Sequence, residues 1–162
     1  MVAGCGPDAI TVEVRRVEAA EVDEMWSFVG REAHQRWLWH AIDHLTGVVL
    51  AYALGSRADK VFVKLQNLLK PFGLVHFYPD GAGVYERYLP ASAHTIGKTN
   101  IQQIERKHLT LRTRIKRLAR KTICSSKSVF MHDTVIGLFV NRCEFGTPHD
   151  YAGFTRNLLH SE

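Results

Sequence analysis

EVDEMWSFVG, residues 21–30, is the stretch on which the fold turns. Trp26 and Phe28 alternate with Ser27, and Gly30 ends the run. A period of two belongs to a β-strand with one buried face. RWLWHAID, residues 36–43, is rich in aromatic side chains that suit a pleated, half-buried surface. LTG, residues 45–47, reads as a tight turn, and VVLAYAL, residues 48–54, as the next strand. Three strands with short connections predict an antiparallel meander.

Beyond it the period changes. Val61, Leu65, Leu68 and Leu69 fall at helical spacing from Ala58 onward, and Pro71 with Gly73 stops that helix. LVHFYPDG, residues 74–81, reads as a short strand ending in a Pro-Asp-Gly turn. A strand reached through a helix runs parallel to its predecessor. Residues 92–98 are expected as one more short strand. Thr99 or Asn100 can cap the next helix, whose apolar stripe is Ile101, Ile104, Leu111, Ile115 and Leu118. Val129, Ile136 and Phe139 mark a last helix over residues 128–142. The prediction is one α/β domain over residues 21–145, with an extension at 1–20 and a tail at 146–162. Its sheet is mixed and five-stranded, a meander of three strands followed by parallel strands, with helices on both faces.

With 162 residues and 46% of them hydrophobic, the chain can bury a sizeable core. No apolar run reaches membrane-spanning length and no signal peptide opens the chain, so a cytoplasmic location is expected. Cys5, Cys124 and Cys143 are too widely spaced for a zinc ribbon or a disulfide framework. His40 and His44 are four apart but lie on a strand, where that spacing is about 13 Å. Trp26, Trp37 and Trp39 could stack bases, although aromatic residues beside apolar neighbours belong more often to the core.

Charge is concentrated in one place. Residues 98–127 hold ten Lys/Arg and a single acid, Glu105, so +9 sits there and −4 elsewhere, for +5 overall. That asymmetry points to a polyanionic partner. Asp23 falls in the first strand, Asp80 ends a later strand, and Glu105 opens the basic helix, with Arg112 seven residues further on. Three carboxylates can hold two Mg²⁺ ions that clamp the attacking and leaving oxygens of a phosphodiester. Glu24 and Asp43 compete with Asp23 for the first position. Strand alternation puts Asp23 and Glu24 on opposite faces, so one of them is buried in a central strand and needs a partner or a metal. Lys98, Arg106, Lys107, Arg112, Lys116 and Arg120 are the expected DNA contacts. In one long helix Arg112, Lys116 and Arg120, spaced at four, would track a single DNA strand.

The local sequences add a resemblance. VDEMWSFVG, followed by QRWLWHAIDHLTGVVLAYALG, resembles the start of the catalytic domain of DDE-class transposases. YPDGAGVYE resembles the segment that carries their second aspartate, and KTNIQQIERKHLTLRTRIKRLARKTICSSKSVFMHD resembles the glutamate helix of the insertion sequence one family. The 24 residues between Asp80 and Glu105 and the cation at Arg112 match that family's spacing. The resemblance implies an RNase H-like fold and carries Asp23, Asp80 and Glu105 over as catalytic metal ligands. It implies two divalent ions (Mg²⁺, or Mn²⁺ in vitro), cutting at terminal inverted repeats, joining to target DNA, and a homo-oligomer on DNA. It is to the product of the second reading frame, normally made as a fusion with the DNA-binding product of the first, so this chain is expected to be the catalytic half. Two rival readings are a non-catalytic DNA-binding remnant and a structure-selective nuclease of the same fold. Metal dependence separates the first from a transposase, and DNA substrate separates the second.

Overall fold

The computed structural model describes residues 16–81, 83–119 and 126–145. The meander is present: β1 (Ala19–Val29), β2 (Arg31–Asp43) and β3 (Val49–Gly55) pair antiparallel in sequence order. Helix α1 (Asp59–Leu69) follows, and it stops where expected. Pro71 lies in a short 3₁₀ turn, and Gly73 takes a left-handed φ of 63°. Strand β4 (His76–Pro79) then pairs parallel with β1, giving the order β3-β2-β1-β4. A short helix α2 (Gly83–Tyr88), the basic helix α3 (Gln102–Arg114) and α4 (Val129–Glu144) complete the described chain. Ser128 caps α4 by accepting a hydrogen bond from the backbone of Met131 at 3.1 Å.

The sheet has four strands among the described residues, where five were expected. Residues 92–98 do not form a strand. His94 makes one isolated parallel bridge to Phe77, and 3₁₀ turns occupy Ala91–Ala93 and Lys98–Asn100. Local bonding wins there: the His94 ring bonds the Pro90 carbonyl at 2.8 Å, and the Ala93 amide donates to the same oxygen. The expected extension is described only from residue 16, and the 146–162 tail and Arg120 lie outside the described residues.

Helices cover both faces. Ala20 and Val22 of β1, with Trp39 and Ala41 of β2, pack against Phe62 and Leu65 of α1 and Tyr85 of α2. Met25, Leu38 and Ile42 point the other way, onto Ile104 and Leu111 of α3 and Ile136 of α4. Trp39 is therefore a core residue, only 1% exposed.

Helix α3 differs from expectation at both ends. Neither Thr99 nor Asn100 caps it; its N-cap is Ile101, which has no side-chain cap bond. The carboxylate of Glu21, on β1, reaches across instead and accepts the Ile104 amide at 2.8 Å. Negative charge at a helix N-terminus satisfies an orphan amide and opposes the macrodipole. Glu21 is itself held by His44 at 2.9 Å. At the other end the helix stops at Arg114, and Lys116–Leu118 forms a separate 3₁₀ turn. Arg112 and Lys116 thus do not share one continuous helix. Thr110 and Thr113 bond back to the carbonyls of Arg106 and Leu109, which weakens a helix.

Because Glu21 ties α3 to the sheet, Glu21→Ala should cost about 0.5–2 kcal/mol of stability, the usual range for a lost cap. Chemical denaturation measures this directly; an unchanged unfolding midpoint would show that the cap is idle.

Candidate active site

Strand register brings two of the three expected acids together. Val22 pairs with Pro79 at the last rung between β1 and β4, so Asp23 is the next residue of β1 and Asp80 the first residue past β4. Proline has no amide to continue the ladder and ends the strand there. Gly81 then turns the chain with a φ of 101°, a conformation L side chains rarely adopt, and an added Cβ would meet Ile96 at 3.1 Å. The fixed turn leaves Asp80 exposed beside the buried Asp23.

Carboxylate oxygens of Asp23, Glu24 and Asp80 lie within 4.8 Å of one another. Both neighbours on β1 are buried, but their partners differ. Glu24 is fully compensated: Arg57 donates two hydrogen bonds to Oε1, at 3.0 and 2.9 Å, and the Tyr85 hydroxyl donates to Oε2 at 2.6 Å. Arg57 also lies 4.8 Å over the Trp37 ring. Burial, and then the Glu24 charge, pushes the Tyr85 hydroxyl well above its ordinary pKa, so it stays a donor. Asp23 has the backbone amide of Glu24 on Oδ1 at 2.7 Å and the His108 Nδ1 3.5 Å from Oδ2. Burial first, and then the Asp80 charge, pushes its carboxyl up to about 8.

The fit to a divalent ion is therefore good. The donors are hard oxygens, and a cation would offset both the burial and the Asp80 charge that raise the Asp23 carboxyl. Asp43, the other rival for the first position, is excluded by its place. It accepts the Leu45 amide at 3.1 Å and the Thr46 hydroxyl at 2.6 Å, capping the β2–β3 turn.

Glu105 is not brought into this group. It is exposed in the first turn of α3, three residues before His108. Residues three apart share a helix face, so Glu105 sits one turn from the side chain that touches Asp23. Of the expected DNA contacts, Lys98, Arg106 and Lys116 are exposed. Lys107 is paired with Glu144 at 2.8 Å, and Arg112 is half-buried near His108. His40 and His44 do not act as a pair: His40 packs on His108, with ring centroids 4.8 Å apart, while His44 holds Glu21. Sequence reasoning missed Glu21, His108, Tyr85 and Arg57. For Glu21 a signal existed, since it shares the strand face of Asp23; the other three declare themselves only through packing.

A mixed sheet with acids at a strand end and a basic helix across it suits an enzyme that handles nucleic acid. Comparison makes the class definite. The family model described as IS1 transposase matches residues 16–146. InsB of the insertion element iso-IS1n of Shigella dysenteriae is 52% identical over 125 residues, covering 77% of this chain and 95% of that protein. An IS1 InsB protein of Escherichia coli (strain K12) is 40% identical over 139 residues, 83% of each chain. The chain belongs to the IS1 transposase family, and membership implies transposition of an insertion element.

The Asp23 environment sets a pH signature. Between 3.8, its ordinary value, and about 8, the folded chain holds a proton that the unfolded chain releases. Asp23 therefore makes folding less favourable as pH rises through that window. In chelator, Asp23→Asn should raise the melting temperature by several degrees near pH 8 and by much less near pH 5. A gap that stays constant with pH would mean Asp23 does not titrate in this range.

Proposed function

We propose that this chain is the catalytic part of a DDE-type DNA transposase with an RNase H-like fold. It would cut DNA at the terminal inverted repeats of its element and join the freed ends to target DNA. The observation that carries this reading is the meeting of Asp23 and Asp80, from distant parts of the chain, beside a cationic helix anchored to the same strand. Asp23, Asp80 and Glu105 would hold two Mg²⁺ ions. Bound there, the ions would activate water or a DNA 3′-hydroxyl as nucleophile and stabilise the departing 3′-oxygen. Glu105 is exposed and lies one turn from His108, the side chain of α3 that touches Asp23.

The protein's own groups do the positioning, which dominates phosphoryl transfer. Arg106, Lys98 and Lys116 present exposed charge to the phosphate backbone. Glu24, with its lone pairs engaged by Arg57 and Tyr85, fixes the strand on which Asp23 sits. No helix of the described residues is long and apolar enough to cross a membrane. We place the reaction in the cytoplasm on nucleoid DNA, with the chain acting as a homo-oligomer and joined to the DNA-binding product of the first reading frame.

Two measurements test this. Wild-type protein should nick supercoiled plasmid with Mn²⁺, while Asp80→Asn and Glu105→Gln should fall to the level of the chelator control. Equal nicking by wild type and Glu105→Gln would remove Glu105 from the site. DNA binding without any nicking would favour a non-catalytic binding module, a reading to which the position of Glu105 outside the acidic group lends support. Separately, with chelator present, Arg106→Ala combined with Lys116→Ala should lower the salt dependence of DNA binding by about one unit of slope per residue. An unchanged slope would place the DNA elsewhere.

A further inference from the structure

His108 sits on α3, is only 8% exposed, and presents Nδ1 3.5 Å from Oδ2 of Asp23. An imidazole can carry its N–H on Nδ1, the nitrogen that faces the carboxylate. Its other nitrogen, Nε2, is buried and meets no hydrogen-bond partner among the described residues. Behind it lies His40, 1% exposed, with both ring nitrogens in the same condition. The two rings are tilted by 51°. A buried N–H needs an acceptor, and Asp23 is the acidic group facing this ring. At 3.5 Å the contact is long for a hydrogen bond, as such contacts often are before metal and substrate arrive.

We propose that His108 is a positioning residue for the metal site: its Nδ1–H donates to Oδ2 of Asp23 and fixes the plane of that carboxylate. The idea rests on the reading of Asp23 as a metal ligand. Asp23 is then held by two donors on opposite oxygens, the Glu24 amide on Oδ1 and the His108 ring on Oδ2. Each oxygen keeps a lone pair for a cation shared with Asp80. The bond strengthens when the carboxylate ionises, because a charged acceptor makes the stronger hydrogen bond. His40 packs against the ring and limits its rotation, so the sheet itself sets the angle of the donor. His108 also gives α3 a direct hold on the acid of β1, one turn beyond Glu105. Helix placement and metal-site geometry are coupled through one side chain.

The test is binding of Mn²⁺ alone near pH 8, followed by the loss of the free-ion electron paramagnetic resonance signal, which requires no turnover. His108→Phe keeps the ring and removes the donor, whereas His108→Asn keeps an N–H donor on a shorter arm. His108→Phe should weaken Mn²⁺ binding by about 10- to 100-fold, the usual cost of losing a group that orients a ligand. His108→Asn should recover part of the loss, and DNA binding in chelator should stay at the wild-type level for both. If His108→Phe does not fold, His108→Leu serves as the variant without a donor. Wild-type Mn²⁺ affinity in the donor-less variant would overturn the proposal, as would equal losses in the Phe and Asn variants. Asp23→Asn separates the two levels. If it binds Mn²⁺ as wild type does, the reading of Asp23 as a ligand falls. If it loses binding while His108→Phe does not, only the positioning role falls.

Discussion

Asp23 and Asp80 meet where a parallel strand pair ends, one of them buried, and two carboxylates at that range repel each other. The backbone on each side fixes their positions. Pro79 and Gly81 hold Asp80 in place from one side, and the central strand β1 holds Asp23 from the other. In the proposed metal site a divalent cation would offset that repulsion. Burial first, and then the Asp80 charge, pushes the Asp23 carboxyl up to about 8 in this arrangement.

Strand alternation divides the labour on β1. Glu24 faces α1 and α2, where Arg57 and Tyr85 satisfy both of its oxygens. It anchors that face as a closed network, and removing any partner would leave a buried charge. Asp23 and Glu21 face α3. Glu21 is spent on the helix terminus, taking the Ile104 amide, and Asp23 is left with an amide, an imidazole and another acid. Three acids within four residues thus do three different things. Their chemistry is alike; their neighbours are not.

The basic segment follows the same logic. Its charge is not one uniform stripe, because Lys107 is taken by Glu144 and the helix breaks after Arg114. Ile115 and Leu118 are buried by the turn that follows, at 3% and 1% exposure. What stays exposed is a smaller set of cations spread over the start of α3 and the turn beyond it.

The sequence by itself determined the meander, the helices α1, α3 and α4 with their apolar faces, the short strand ending at Pro79, and the family, but not the short helix α2. Those depend on local periodicity, turn chemistry and motif spacing, all of which are written along the chain. It also identified Asp23 and Asp80 as acids at strand positions. Tertiary structure alone decided that they meet, since that depends on β4 pairing with β1 and on the register of one rung. It likewise decided that residues 92–98 make a single bridge instead of a fifth strand, that Glu21 caps a helix far along the chain, and that Glu105 stands outside the acidic group. Long-range pairing carries no local signature, because any acid on any strand looks the same until the fold supplies its neighbours.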